Sequence, residues 1–202
     1  MIKNIVFDVG KVLVDFNWQK VFEELQFTGI VYEKVAQATV LSNYWNEFDK
    51  GVLSEEEILE GFLKGAPKYQ AEILKVWEYA GNAIVRYDYT IDWINSLKKK
   101  GYQVYLLSNY PKRLYELSIE ELSFVNIVDG GIFSYQIKCV KPDPKIYQAL
   151  FEKYNLKPEE CVFLDDNEAN VIAAEKLGMP GIQFQNKKQA EKELEKIIAI
   201  HS

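Results

Sequence analysis

The order of apolar and polar positions changes twice along this chain. First comes Ile5-Val6-Phe7, an apolar run of β-forming residues that stops abruptly at Asp8. Gly10 follows two positions later, and Val12-Leu13-Val14 turns apolar again. The run predicts a buried strand with Asp8 at its carboxyl end. Over residues 16–83 the period becomes helical. Trp18, Val21, Phe22 and Leu25 recur at helical spacing with Gly29 as a stop; a second helix is predicted from Tyr32 to Phe48, and Asp49-Lys50-Gly51 reads as a turn. Ser54 and Glu57 form a capping box that opens a helix through Ile58, Leu59 and Phe62. Gly65-Ala66-Pro67 ends it, and another helix runs over Ile73, Leu74 and Trp77. No strand-like alternation interrupts this block.

From Arg86 onward helices and strands alternate. Thr90 to Lys100 is a helix with three lysines in its last turn and Gly101 after it. Gln103 to Leu107 is a strand ending in Ser108-Asn109, and Tyr110-Pro111 starts the next helix. Ile127 to Phe133 reads as a glycine-broken strand, and Val140-Lys141-Pro142-Asp143-Pro144 opens a helix through Ile146, Leu150 and Tyr154. Cys161 to Leu164 is a strand ending in Asp165-Asp166-Asn167, followed by a helix from Ala169 to Leu177, a strand over Gly181 to Phe184, and a helix from Lys187 to Ile200. Strands alternating with helices predict an α/β fold with a doubly wound parallel sheet, Rossmann-like in layout. The helical block separates the first strand from the second. The expected organisation is therefore a discontinuous core, residues 1–15 and 84–202, with an all-helical insertion, residues 16–83.

Composition narrows the chemistry. The 202 residues are 48% hydrophobic and 27% charged, as in a globular protein with a sizeable core. No apolar run approaches the ~20 residues of a membrane span, and Met1-Ile2-Lys3-Asn4 leads straight into a strand without a signal-peptide pattern. A cytoplasmic protein without a membrane partner is expected. Net charge is −6, and residues 16–83 contain 11 acidic against 6 basic side chains. No basic face is offered to nucleic acid. The polar composition is compatible with a monomer or a weak homodimer. Cys139 and Cys161 make neither a disulfide framework nor a zinc pattern. The single histidine, His201, removes Ser-His-Asp and Cys-His catalysis from consideration.

Three predicted strands end in polar side chains: Asp8, Ser108 with Asn109, and Asp165 with Asp166. In a parallel sheet these ends share one edge, where ligands bind, and Lys141 at a helix start can reach the same crevice. Each residue also has an ordinary reading, as a helix cap or a surface charge. Together they fit phosphoryl transfer. Asp8, Asp165 and Asp166, with a backbone carbonyl near Gly10, offer hard oxygens to Mg²⁺. Ser108 and Asn109 can donate to phosphate oxygens, and Lys141 adds positive charge. The amides after Asp8, at Val9 and Gly10, can point at a phosphate.

The set Phe7-Asp8-Val9-Gly10-Lys11-Val12-Leu13-Val14, Leu107-Ser108-Asn109, Val140-Lys141-Pro142 and Phe163-Leu164-Asp165-Asp166-Asn167 resembles the four motifs of the haloacid dehalogenase (HAD) superfamily. The block 16–83 resembles the helical cap of that superfamily, and Phe48 to Glu57 is similar to the cap turn of its sugar phosphatases and of the phosphatase domain fused to epoxide hydrolases. The resemblance implies a magnesium-dependent phosphatase acting on a small phosphorylated metabolite, a sugar phosphate above others. Asp8 would be the nucleophile, Ser108 the phosphate donor, Lys141 the stabilising cation, and Asp166 a metal ligand with Asp165 beside it or behind it.

One position departs from the pattern. Most phosphatases of the superfamily carry a second aspartate two residues after the nucleophile, where it serves as general acid and base. Here that position is Gly10, as in a subset close to bacterial sugar-1-phosphatases, and Lys11 follows it. Proton transfer must then come from water, Lys11, a cap residue or the substrate, and such help is typically worth ~10²–10⁴-fold. Two other readings follow from the same residues: a non-catalytic HAD-like binding or regulatory protein, and a haloacid dehalogenase. Against the second, position 10 is glycine where dehalogenases carry tyrosine, and the only arginines are Arg86 and Arg113. The aromatic residues Trp18, Phe22, Tyr44, Trp45 and Phe48 are expected to pack the helical block, with one or two facing the pocket.

Overall fold

The computed structural model describes residues 1–201. Five parallel strands form the main sheet: β1 (Asn4–Phe7), β4 (Gln103–Ser108), β5 (Gly130–Phe133), β6 (Cys161–Asp165) and β7 (Gly181–Gln183), with β2 (Val14–Phe16) and β3 (Ile84–Arg86) paired apart from it. The sheet order is β5-β4-β1-β6-β7. β1 lies in the middle and is buried throughout, as its unbroken apolar sequence requires. Its side chains alternate between two cores. Ile5 and Phe7 pack on one face with Trp93, Leu97 and Leu194, and Val6 packs on the other with Tyr147, Leu150 and Phe163. The helices α6 (Thr90–Lys99), α7 (Lys112–Leu117), α8 (Ser134–Ile137), α9 (Pro144–Tyr154), α10 (Glu168–Lys176) and α11 (Lys187–Ile200) flank this sheet. The doubly wound α/β arrangement is as the alternation predicts.

Residues 18–79 form five helices: α1 (Trp18–Glu24), α2 (Gly29–Ala38), α3 (Asn43–Lys50), α4 (Glu55–Gly65) and α5 (Gln70–Tyr79). They bury an apolar cluster of their own around Phe22, Ile58 and Ile73. The Ser54–Glu57 capping box is present in both directions, with Glu57 N donating to Ser54 Oγ at 3.2 Å and Ser54 N donating to Glu57 Oε2 at 2.8 Å. No helix among the described residues is long and apolar enough to cross a membrane.

Four local expectations are corrected. The single helix predicted from Tyr32 to Phe48 is two, α2 and α3. Thr39 Oγ1 donates to Val35 O and Ser42 Oγ donates to Thr39 O, both at 2.7 Å, and these side-chain bonds compete with the helical ladder. Gly29 opens α2 instead of closing α1, because α1 is already stopped by Gln26 in the left-handed region at φ 58°. The helical block is also bounded by strands that periodicity could not reveal. β2 and β3, three residues each, pair antiparallel with Val14 opposite Arg86 and Phe16 opposite Ile84. The predicted strand from Ile127 shortens to β5, after a 3₁₀ turn at Ser123–Asn126.

Candidate active site

Sheet register assembles the site. Phe7 is level with Leu106 on one side and Leu164 on the other, so the next residue, Asp8, emerges beside the ends of β4 and β6. Ser108 and Asp165 are the last residues of those strands. Asp8 Oδ1 is the meeting point. It accepts from Ser108 Oγ at 2.7 Å and from Val9 N at 2.7 Å, and lies 2.8 Å from Lys141 Nζ. Asp8 Oδ2 has no hydrogen-bond partner among the described residues.

Lys141 is buried and bridges two carboxylates, with Asp165 Oδ2 at 2.6 Å. Burial opposes its charge, but Asp8 and Asp165 outweigh it and hold the ammonium above the ordinary lysine range. Asn109 grips the Lys141 backbone from both sides: Lys141 N donates to Asn109 Oδ1 at 2.7 Å, and Asn109 Nδ2 donates to Lys141 O at 3.0 Å. The Asn109 side chain, expected to donate to a ligand, thus orients Lys141, while the residue still lines the cavity. Asp165 is committed in the same way. It accepts from Asn170 Nδ2 at 3.1 Å on each oxygen and from Asn167 N at 2.8 Å. Asn170 escaped sequence reading, since a single buried asparagine in a helix carries no spacing signal.

Oxygens of Asp8, Asp165 and Asp166 lie within 4.8 Å of one another. Burial pushes the Asp8 carboxyl up to about 6, with Lys141 opposing and Asp165 reinforcing. Asp166 is also raised, by burial and then by Asp165. Three carboxylates crowded in this way suit a hard divalent cation, which neutralises charge that Lys141 alone cannot. Asp166 faces the cavity and Asp165 does not.

A cavity of about 230 Å³ opens above Asp8. Gly10, Lys11, Asn109, Tyr110 and Asp166 form its floor and walls, and Phe16, Trp45 and Asp49 close it from the helical side. Lys11 is largely exposed and sits 3.8 Å from Asp166 Oδ2. Trp45 stacks on Phe62, with ring centroids 6.5 Å apart, and belongs to both apolar cores, so it is packing and lining at once. Asp49, expected as a turn residue, lies in the last turn of α3 and lines the cavity. Burial, and then the Asp8 charge, lift its carboxyl to about 7.

Residues 2–178 match the family model described as haloacid dehalogenase-like hydrolase. The chain is 30% identical over 212 residues to D-ribitol-5-phosphate phosphatase of Bacteroides thetaiotaomicron, covering 98% of this chain and 99% of that protein. Among solved structures, a HAD family enzyme of the same organism in complex with magnesium and inorganic phosphate superposes with TM-score 0.74. It is 24% identical, over 93% of this chain and 96% of that one. The L-2-haloacid dehalogenase of Xanthobacter autotrophicus shares the fold at TM-score 0.65 and 18% identity, over 97% of this chain and 83% of that one. The four polar clusters at one sheet edge and the match over most of the chain lead to one assignment: this protein belongs to the haloacid dehalogenase-like hydrolase family.

Proposed function

We propose that the protein is a magnesium-dependent phosphatase of a small phosphorylated metabolite, a sugar or polyol phosphate, working through an aspartyl-phosphate on Asp8. The observation that carries this reading is the arrangement around the Asp8 carboxylate. Oδ1 is anchored by Ser108, Val9 and Lys141, which leaves Oδ2 as the attacking atom. The Oδ2–phosphorus bond forms as the bond from phosphorus to the leaving oxygen breaks; water then cleaves the aspartyl-phosphate, releasing phosphate and restoring the carboxylate. Ser108 Oγ and Lys141 Nζ stand where they can shift from Asp8 to the phosphoryl oxygens as charge develops there. Asp8, Asp166 and the Gly10 carbonyl would hold magnesium, with Asp165 behind them orienting Lys141. Bound there, the cation neutralises phosphate charge that would otherwise repel an anionic nucleophile. Residues 16–83 serve as the cap over a core made of 1–15 and 84–202. Similarity to a ribitol-phosphate phosphatase along nearly the whole chain supports the polyol class of substrate.

The test is hydrolysis of para-nitrophenyl phosphate with magnesium and with chelator, beside Asp8→Asn. Magnesium-dependent release that falls by about 10³-fold or more in the variant is expected. Release that survives Asp8→Asn would exclude the aspartyl-phosphate. No release under any condition would move the reading to a non-catalytic binding protein.

A further inference from the structure

A sugar or polyol phosphate leaves as an alkoxide, which must be protonated as the phosphorus–oxygen bond breaks. Few groups in the cavity can do this. Asp8, Asp165 and Asp166 form the carboxylate cluster, and Lys141 is shared between two of them. Lys11 stands beside Asp166 and is largely exposed. The Tyr110 hydroxyl is engaged with Ser118 Oγ at 3.0 Å, and burial drives its acidity far out of range. The Asn109 amide has no acidic proton and is held by the Lys141 backbone. Gly10 has no side chain, although a Cβ there would meet nothing within 4 Å. One carboxyl remains: Asp49, on the opposite wall.

Its placement is built. The Asp49 carbonyl accepts from Ser134 Oγ at 2.5 Å, and Ser134 Oγ in turn accepts from Tyr110 N at 2.9 Å. Gly51, two residues on, sits at φ 63° with its carbonyl taken by Lys138 Nζ. The turn is thereby tied to the sheet side of the cleft, while the Asp49 carboxyl itself makes no hydrogen bond or ion pair among the described residues. We propose that Asp49 is the general acid and base of this enzyme, supplied from the helical cap in place of a side chain at position 10. This rests on the phosphatase reading above. The Asp49 carboxyl gives its proton to the leaving oxygen as Asp8 is phosphorylated. The resulting carboxylate takes a proton from the water that attacks phosphorus, the Asp8–phosphorus bond breaks, and Asp49 ends protonated as it began.

The groups facing Asp49 support the assignment. Asp8 at the end of β1 disfavours its ionised form and Lys141 opposes this, with burial the largest cause of a carboxyl titrating at about 7. Tyr110 lies on the β4 side, Lys11 and Asp166 line the far wall, Lys138 is tied to Gly51, and Lys50 on its own helix is paired with Glu47 at 2.6 Å. Such a group is protonated in a large fraction of molecules at neutral pH and can exchange its proton in both directions.

The experiment uses the full chain with magnesium, comparing the parent with Asp49→Asn, Asp49→Glu and Asp8→Asn on a primary polyol phosphate and on para-nitrophenyl phosphate, by rapid acid quench. Nitrophenolate needs no proton to leave. Asp49→Asn should therefore keep a full nitrophenolate burst but accumulate trapped phosphoenzyme, and lose about 10²–10⁴-fold on the polyol phosphate. The parent's fall in polyol phosphorylation above pH 7 should be absent in Asp49→Asn, and Asp49→Glu should recover part of the rate. Equal losses in the burst and on the polyol phosphate, or no loss on either, would overturn the assignment. Asp8→Asn should abolish the burst entirely; a surviving burst would overturn the phosphatase mechanism itself, independently of Asp49.

Discussion

Asp49 is a carboxyl that the folded chain keeps protonated well above the ordinary range, and this affects stability as well as chemistry. Between about pH 4 and pH 7 the folded state retains a proton that the unfolded chain has released. Stability contributed by this site is therefore greatest below that window and falls as pH rises through it. Asp49→Asn removes the ionisable group, so the variant should be more stable than the parent at pH 8, by about 1–2 kcal/mol after allowing for partial exposure. The two should converge near pH 4, and thermal unfolding at pH 4 and pH 8 checks this. At the residue scale, Asp8, Ser108, Asp165 and Asp166 could be singled out in the sequence because they close apolar runs, and Lys141 because it stands just before a proline-marked helix start. Asp49 could not. It sits in an acidic, helical stretch where one more carboxylate carries no pattern, and its distinction comes from a wall 41 residues away in the chain. The interplay of Asn109 and Asn170 with Lys141 and Asp165 was hidden for the same reason.

Elements were read best where an end is marked chemically. Ser54 and Glu57 announce α4, and both reciprocal bonds form. Ser54→Ala should cost about 1 kcal/mol, seen as a lower midpoint in urea with an unchanged slope. Elements were read worst where an end depends on side chains bonding backward onto the backbone, as Thr39 and Ser42 do between α2 and α3. The β2–β3 ribbon was invisible for a different reason. Three residues cannot display a period, and their partners lie about 70 positions apart, so only the folded chain brings Val14 to Arg86.

Across the whole molecule, the chain passes between sheet and helical block side by side through that ribbon, and the two bodies touch again at the cleft. Ser134 is fully buried and ties Asp49 to Tyr110 there. Ser134→Ala strands the buried Tyr110 amide and the half-buried Asp49 carbonyl, which should cost about 1–3 kcal/mol. The loss should appear as faster amide hydrogen exchange across α3 at conditions where the sheet is still protected. Arg113 adds a second tie, its guanidinium 4.6 Å from the Trp77 ring centre and 3.3 Å from Glu55. The alternation of elements made the parallel sheet readable, whereas these ties join residues with no common pattern.

The central position of β1 also governs assembly in time. Its two neighbours enter the chain about 100 and about 157 residues later, since Asn4 pairs with Gln103 and with Cys161. During synthesis Ile5-Val6-Phe7 stays unpaired until β4 is made near mid-chain, and its second edge stays open until β6 follows, while the local contacts of the helical block can close early. A nascent chain interrupted before residue 161 carries a hydrophobic central strand with one edge open, a natural client for chaperones and a seed for aggregation.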